Sequence, residues 1–357
     1  MMFLLKRYDW FLNTALTILI VVSLVIVYSV ATNLFWQQLI WLALAIILFV
    51  ICSLFNWGAL VNYRWFLWSV YGLSIILLIA TFLFAPAIRS THSWLVLGPI
   101  QFQTSELAKL ALIIILASFF ARSHIKIAHF KTVLKSFLYF LLPAVLIFVQ
   151  PDLGTTIILF GIWLGFLLVS GLSKKHILVG LLILVLASLI GWNFLQDYQQ
   201  QRIIGLFDAG YDPLGINYGV IQSKIAIGSA GFWGKGFNQG TQSQLGFLPE
   251  SATDFILAAF IEEWGLLGGF LVIGAFLFLV LRILKIGLQA DNNFSRFICL
   301  GVVVMFLLQF ILNVGSTLGL LPVVGVTFPF FSYGGSSLLI NAGLIGIVQS
   351  IAMRSRS

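Results

Sequence analysis

The stretch "FLPESATDFILAAFIEEWGLLGGFLVIGAFLFLVLR", residues 247–282, joins a cluster of carboxylates to an apolar run of membrane length. Its acidic residues are Glu250, Asp254, Glu262 and Glu263, four of the eleven in a chain of 357 residues. No charge follows Glu263 until Arg282. Because about 18 apolar residues are enough to cross the hydrocarbon of a bilayer, the stretch predicts a transmembrane helix with acidic groups at and below one end.

Composition indicates that the whole chain belongs in a membrane. It is 61% hydrophobic and 8% charged, against roughly 25% charged residues in soluble domains. The net charge of +8 therefore concerns membrane topology more than nucleic acid, and no nucleic-acid partner is expected. Both cysteines, Cys52 and Cys299, lie in apolar runs, so no disulfide scaffold is indicated. The first apolar run is expected to stay as an anchor, because further spans follow it at once.

Hydropathy predicts an all-α polytopic membrane protein that forms one domain over residues 1–357. The ten predicted spans are 10–31, 34–55, 64–85, 104–121, 136–150, 153–170, 176–192, 254–284, 294–316 and 334–352. A cytoplasmic N-terminus places 14 of the 19 Lys and Arg residues on the cytoplasmic side, as the positive-inside rule requires. Both termini are then cytoplasmic.

A long loop, residues 193–253, separates the seventh and eighth predicted spans on the extracytoplasmic side. It holds ten glycines between Gly205 and Gly246, together with Trp233 and several tyrosines and phenylalanines. Disordered segments are depleted in such aromatic residues, so the loop is expected to be ordered. It is either a lid built of turns or, as we favour, a segment that handles substrate.

Asp254 has two interpretations. The sequence Ser251–Asp254 fits the capping pattern [ST]-x-x-[DE], so Asp254 could cap the eighth span. Glu262 and Glu263 would lie about 12–14 Å further along the helix, where an acidic group must face protein or water. Glu262 would be turned by about 80° from Asp254, so one cavity wall could present both carboxylates.

Three other motifs lie near the same side of the membrane. "SELAKL", residues 105–110, places Glu106 and Lys109 three residues apart, so they can pair either as a structural ion pair or as the lining of a polar cavity. "VQPDLGTT", residues 149–156, places Asp152 at the start of the sixth span, where helix capping is favoured. "TFPFFSYGGSS", residues 327–337, opens the tenth span with a Pro/Gly break, either a plain turn or backbone buried against a cavity.

The outer loop has three basic residues, Arg202, Lys224 and Lys235. An enzyme that uses Asp254 would need such cations to stabilise a leaving phosphate. Lys224 is the favoured group and Arg202 the next, whereas Lys235, between two glycines, is expected to be a solvated turn residue. The histidines and cysteines have no metal-ligand spacing, so no metal or cofactor is predicted, although dependence on a divalent cation stays open.

Taken together, the motifs resemble those of the SEDS family (shape, elongation, division and sporulation), and its elongation branch more than its division branch. The resemblance rests on "SELAKL" (105–110), "QPDLGTT" (150–156), "QSKIAIGSAGFWGKGFNQGTQ" (222–242), "FLPESATDFILA" (247–258), "EEWGLLG" (262–268), "TLGLLP" (317–322) and "FPFFSYGGSS" (328–337). It implies a ten-span glycosyltransferase of the bacterial inner membrane that polymerises lipid II into peptidoglycan during cell elongation. The usual partner is a class B penicillin-binding protein, a transpeptidase, and other elongation proteins are possible partners.

The same resemblance implies roles for particular residues. Asp254 matches the essential aspartate of the family, and Glu106 and Lys109 match residues of its central cavity. In the implied reaction Asp254 is the general base for a GlcNAc 4-hydroxyl that attacks the anomeric carbon of MurNAc and displaces undecaprenyl diphosphate. Gln222, Glu250 and Asp152 complete the predicted substrate-binding set with Lys224, Arg202 and Lys235. The alternatives are a lipid II flippase, which intramembrane charges and broken helices also suit, and a non-catalytic scaffold for cell-wall synthases.

Overall fold

The computed structural model describes residues 8–60, 63–85, 93–97, 100–123, 130–171, 191–208 and 210–355. The helices of the first half are α1 (Trp10–Val30), α2 (Thr32–Leu54), α3 (Trp57–Leu60), α4 (Arg64–Phe84), α5 (Thr104–Ser123), α6 (Phe130–Val149) and α7 (Leu153–Val169). Those of the second half are α8 (Asp197–Phe207), α9 (Tyr218–Ser229), α10 (Thr241–Gln244), α11 (Ile256–Gln289), α12 (Asn293–Thr317) and α13 (Gly335–Arg354). A 3₁₀ turn covers Trp192–Phe194.

The helices agree with the predicted spans wherever the structure describes them. Eight of the described helices are long and apolar enough to cross a membrane, and α7 is a shorter apolar helix at the sixth predicted span. The fifth span begins at Phe130 rather than at residue 136. The seventh, 176–192, lies almost wholly outside the described residues. A mostly helical, polytopic membrane protein is thus confirmed, while the count of ten and the cytoplasmic termini stay predictions.

Helix α13 forms the centre of the bundle. In its most apolar segment 94% of the residues are buried, against 11% in α2, so α2 presents most of its surface to lipid. The two helices nevertheless pack closely, because Gly346 of α13 lies against the backbone of α2. A Cβ at Gly346 would come within 2.6 Å of the Phe49 carbonyl oxygen, and small residues allow this close approach in membranes.

A two-stranded hairpin departs from the predicted all-α fold. Strand β1 (Trp94–Leu97) pairs antiparallel with β2 (Ile100–Gln103), with Trp94 opposite Gln103. Ser336 fixes β2, since its hydroxyl accepts a hydrogen bond from the Gln103 amide at 3.0 Å and donates one to the Gln101 carbonyl at 3.3 Å. Strands of four residues are too short for their alternation to be read from sequence, which explains the wrong prediction.

A buried ion pair joins α1 to the end of α11 that is predicted to be cytoplasmic. Asp9 caps α1 by accepting the Leu12 amide at 3.0 Å. Arg282 donates to both carboxylate oxygens of Asp9, from Nε at 2.9 Å and from Nη2 at 2.6 Å. The sequence did not single out this pair, because its partners lie 273 positions apart.

Candidate active site

Asp254 lies in a turn, not at the cap of a helix. Helix α11 begins at Ile256, its N-cap is Phe255, and that cap makes no side-chain hydrogen bond. The carbonyl of Glu250 closes the turn by accepting the amides of Thr253 at 3.0 Å and Phe255 at 3.2 Å. Asp254 is therefore not the N-cap residue of α11. Asp254 is half-buried, and Glu250, on the exposed side of the turn, accepts the Thr253 hydroxyl at 2.8 Å.

The backbone of this turn is held by two distant segments. The Tyr333 amide donates to the Ala252 carbonyl at 2.8 Å, and the Ser332 hydroxyl donates to the Thr253 carbonyl at 2.8 Å. The "TFPFFSYGGSS" break is therefore more than a plain turn. Burial also raises the pKa of the Tyr333 phenol, which keeps it a neutral donor to Gln37 on α2, at 2.8 Å.

The second segment that holds the turn is the end of α12. The Asp254 carbonyl accepts hydrogen bonds from Asn313 Nδ2 at 3.2 Å and from Thr317 Oγ1 at 3.3 Å. Asn313 Nδ2 also donates to the Val326 carbonyl at 2.9 Å. Every carbonyl from residue 252 to residue 254 is thus engaged, so the backbone beneath the Asp254 carboxylate is fixed from several directions.

Helix α9 brings Lys224 to the same end of α12. The buried Ser223 hydroxyl donates to the Thr317 carbonyl at 2.7 Å, and the Lys224 side chain packs against Gly319. A Cβ at Gly319 would lie 2.5 Å from Lys224 Cε, and its φ of +67° favours glycine as well. One residue, Thr317, therefore bonds both the Asp254 turn and the helix that carries Lys224.

Two predicted cations share one cleft. Arg202 of α8 and Lys224 of α9 both line a cleft of about 60 Å³, together with Gly319 and Pro322. Arg202 Nη1 donates to the Val323 carbonyl at 2.7 Å, and its guanidinium lies over the Tyr198 ring, 5.5 Å from the centroid. A guanidinium has five N–H donors, so this anchoring leaves others to meet an anion. Gln222, half-buried, lies on α9 two residues before Lys224, and it does not line the cleft.

Glu106 and Lys109 form the ion pair that their spacing predicts. Lys109 Nζ lies 2.8 Å from Glu106 Oε2, and the two side chains are 2% and 6% exposed respectively. The pair lies in the first turns of α5, directly after the hairpin. The pair places two opposite buried charges together, although Glu106 Oε2 accepts no hydrogen bond of good geometry. Its predicted place in a substrate cavity stays a prediction.

Asp152 caps α7, as predicted. Its Oδ1 accepts the Thr155 amide at 2.9 Å, and its Oδ2 accepts the Thr155 hydroxyl at 2.9 Å. The same oxygen also receives Gln103 Nε2 at 3.2 Å and the Ser105 hydroxyl at 3.4 Å. Asp152 therefore joins α7 to β2 and to the start of α5.

Glu262 is buried in protein and does not share a cavity wall with Asp254. It is 0% exposed, and Lys235 Nζ lies 2.8 Å from its Oε1. Its other donors are Thr241 Oγ1 at 3.2 Å, the Gln242 amide at 2.9 Å, the Ser243 amide at 3.1 Å and Ser243 Oγ at 3.0 Å. The expectation that Lys235 is a solvated turn residue is wrong as well, since its ammonium forms an ion pair.

Glu263 is 1% exposed and attaches the loop to α1. Its Oε1 accepts the Ser29 hydroxyl and Gln244 Nε2, the latter at 3.1 Å. Gln244 Nε2 also donates to the Ser29 carbonyl at 3.1 Å. Both deep carboxylates thus face protein, as the sequence requires.

In the structure, the predicted residues fall into groups with different locations. Asp254, Lys224 and Arg202 lie around the end of α12, whereas Lys235 and Asp152 hold neighbouring elements together. The Glu106–Lys109 pair lies within α5. Sequence reasoning missed Asn313 and Thr317, because a polar residue in an apolar helix gives no sign of which distant carbonyl it bonds. Within the described ranges, no three His, Cys, Asp or Glu residues are grouped so as to hold a metal ion.

Comparison with known proteins identifies the family. Residues 4–357 match the family model FTSW_RODA_SPOVE, described as "Cell cycle protein". The chain is 42% identical to peptidoglycan glycosyltransferase MrdB of Escherichia coli over 285 residues, 79% of this chain and 76% of that protein.

Two solved structures are similar over almost the full length. One, from a study of how a peptidoglycan synthase complex coordinates polymerization and crosslinking, has a TM-score of 0.84 and 31% identity, covering 98% of both chains. The other, rod shape determining protein RodA of Thermus thermophilus, has a TM-score of 0.73 and 26% identity, with 98% of each chain covered. The chain therefore belongs to the FtsW, RodA and SpoVE family of cell cycle proteins, the SEDS family that its motifs resemble.

Proposed function

We propose that this chain, a peptidoglycan glycosyltransferase of the bacterial inner membrane, polymerises lipid II with Asp254 as its general base. The observation that carries the proposal is the convergence at the end of α12. Thr317 bonds the turn of Asp254 and the helix of Lys224, and Lys224 shares a cleft with Arg202. A carboxylate and two cations are thus connected through one rigid helix end.

The base needs a fixed position near the membrane surface. In the proposed reaction the Asp254 carboxylate accepts the proton of the acceptor's GlcNAc 4-hydroxyl as that oxygen attacks the anomeric carbon of the donor's MurNAc. General-base catalysis of this kind typically contributes about 10²–10⁴-fold, provided that the carboxylate is held in place. The engaged carbonyls of residues 252–254 supply that restraint. The substrate's lipid tail can stay in the bilayer meanwhile.

The leaving group needs positive charge. When the bond to the anomeric carbon breaks, the undecaprenyl diphosphate carries the departing electron pair. Lys224 and Arg202, which line one cleft, are the cations that we propose contact it. Arginine suits bidentate contact with phosphate, and lysine acts as a point charge. Helix α9 packs directly on the Asp254 turn, since a Cβ at Gly219 would lie 2.8 Å from the Phe255 ring. This packing joins the helix that carries Lys224 to the turn that carries Asp254.

We give the flippase alternative less weight than the sequence alone would suggest, because of the way in which helix α11 is broken. Broken helices in transporters expose backbone groups to a substrate cavity. The break in α11 is instead filled by the chain's own loop, which bonds the exposed amides and carbonyls around Gly265. A transpeptidase of the class B penicillin-binding type is the partner that we propose, which fits the synthase complex to which this fold is similar.

The test is a lipid II polymerisation assay on purified protein, with and without the transpeptidase. Asp254→Asn keeps the size of the side chain but removes the base, and we expect a loss of about 10²–10⁴-fold with normal membrane insertion. Asp212→Asn is the matched control, because Asp212 lies exposed in the same loop and accepts the Ile216 amide at 3.1 Å. An Asp254→Asn variant within a few-fold of wild type would remove Asp254 from the reaction. Wild-type protein that moves lipid II across vesicles without making polymer would favour the flippase.

A further inference from the structure

Helix α11 is broken, and an outer-loop segment fills the break. Gly265 has φ 73° and ψ 179°, which no helix contains, so the helix divides into 256–264 and 266–289. The amides of Lys235 and Gly236 donate to the carbonyls of Glu262 at 2.9 Å and Glu263 at 3.0 Å. In return, the Gly231 and Phe232 carbonyls accept the amides of Leu266 at 3.1 Å and Leu267 at 3.2 Å. We call residues 231–244 the plug.

The fit between the plug and the helix depends on two glycines. A Cβ at Gly234 would lie 2.2 Å from the Glu263 carbonyl oxygen, and a Cβ at Gly265 would lie 2.2 Å from the Phe232 carbonyl oxygen. Backbone therefore meets backbone without side chains between them. Because irregular backbone at membrane depth is stable only when protein or water satisfies it, the plug is part of the folded helix pair and not a detached lid.

An ion pair between Lys235 and Glu262 holds the plug against α11. The Lys235 ammonium reaches Glu262 Oε1 and also donates to Thr241 Oγ1, each at 2.8 Å. Glu262 lies near the C-terminal end of the half-helix 256–264, where the helix dipole is negative and favours a cation. The loop thus supplies its own tethered cation to a buried carboxylate. No substrate contact is needed to explain either side chain.

The plug is connected to both halves of the proposed active site. Helix α9, which carries Lys224, ends at Ser229, and the plug begins two residues later. The half-helix 256–264 begins directly after the Asp254 turn and ends where the plug is bound. The Thr317 bond holds α9 near its middle, at Ser223, so the plug holds the remaining C-terminal end. Releasing the plug would let α9 tilt and so move Lys224 relative to Asp254.

We propose that Lys235 and Glu262 are positioning residues of the glycosyltransferase: their ion pair holds the plug in the break of α11 and so fixes the cationic cleft against Asp254. This rests on the proposed roles of Asp254 and Lys224. It replaces the predicted role of Lys235 in binding substrate. Displacement of a reacting group by about 1 Å can reduce a rate about 10²-fold, so loss of this pair acts on kcat.

The experiment compares Lys235→Met, Lys235→Arg and Arg282→Met. We expect Lys235→Met to lower kcat about 10–100-fold with KM within about threefold, and Lys235→Arg to recover most of the rate, because a guanidinium can pair with Glu262. Arg282→Met breaks the ion pair with Asp9 near the other end of the same helix. It should lower the melting temperature while leaving kcat per folded molecule unchanged.

A distance measurement gives a readout independent of activity. Spin labels at Ser229 and Leu318, with Cys52 and Cys299 replaced, report the position of α9 relative to the end of α12. We expect the distance distribution to broaden in Lys235→Met but not in Arg282→Met. If Lys235→Met does not insert into the membrane, Thr241→Val is a milder change. It removes one hydrogen-bond donor to Glu262 and one acceptor for Lys235. We then expect a several-fold lower kcat.

Two outcomes would overturn the inference. If Lys235→Met, or Thr241→Val in its place, keeps wild-type kcat and distances, the pair positions nothing. If KM rises more than about tenfold while kcat holds, Lys235 touches substrate, as the sequence predicted. Neither outcome alters the test of Asp254→Asn, so the inference can fail while the proposed function stands.

Discussion

The Glu106–Lys109 pair allows a quantitative prediction, because its geometry and burial are both defined. Its charges lie 2.8 Å apart, on side chains 2% and 6% exposed. At an effective dielectric constant of about 20, that separation corresponds to about 6 kcal/mol of attraction. Removal of one partner from a buried pair typically destabilises a protein by about 3–5 kcal/mol, because the other charge stays buried. We expect Glu106→Gln and Lys109→Met each to lower the free energy of unfolding by that amount.

The double variant Glu106→Gln/Lys109→Met separates a structural role from a functional one. It leaves no unpaired charge, so the free energy of unfolding should return to within about 1 kcal/mol of wild type, since buried pairs and neutral replacements often balance. Polymerisation should nevertheless stay low if the pair lines the substrate cavity that the family resemblance implies.

The assays are equilibrium unfolding in detergent and lipid II polymerisation on the same preparations. Single variants that lose less than about 1 kcal/mol would refute the energetic reasoning, because a pair that contributes so little behaves like an exposed one. A fully active double variant would refute the cavity role and leave the pair structural. A double variant as unstable as the singles would mean that neighbouring groups, not the pair, set the loss.

Three further substitutions test other parts of the site. Lys224→Met should reduce the polymerisation rate about 10²–10³-fold with lipid II binding weakened only modestly, if the ammonium stabilises the leaving diphosphate; an unchanged rate would place that role elsewhere. Gly265→Ala should lower the melting temperature, because this backbone conformation is strained by about 1–3 kcal/mol for other residues and the added Cβ would meet the Phe232 carbonyl. An unchanged melting temperature would mean that the backbone at the break can shift to accept a side chain. Asp152→Ala should lower the free energy of unfolding by about 0.5–2 kcal/mol through loss of the cap, and Asp152→Asn should restore most of it.

The sequence predicted the features that depend on local composition. Span positions follow from the length of apolar runs, and the Glu106–Lys109 pair and the Asp152 cap follow from spacings of three residues. The break at Gly265 could not be predicted, because glycine is common in transmembrane helices and the break is defined by residues 231–236 of the loop. The hairpin was missed for a similar reason, since four-residue strands carry too little periodicity.

Long-range polar contacts account for the rest of the differences. The sequence at Asp254 fits a local capping motif, but the helix begins at Ile256. Ser332 and Tyr333, about 80 positions away, hold the turn that precedes it. Lys235 looked solvated because its neighbours are glycines, whereas its partner Glu262 lies 27 positions later. Such contacts depend on how the bundle assembles, and no single segment encodes them.

The charges in and just before α11 explain why we expect its acidic residues to differ in function. A charge within the membrane needs a partner, and both Glu262 and Arg282 have one, supplied by Lys235 and Asp9 respectively. Asp254 instead lies before the helix, in a turn held through its backbone beside a cationic cleft. Mutations along this one segment should therefore have different effects. A change at Asp254 should remove the chemical step, a change at Glu262 should disturb the positioning of the site, and a change at Arg282 should lower stability alone. Because all three changes fall on one continuous segment, residues 254–282, kcat and melting temperature measured together distinguish these roles without reference to any other part of the protein.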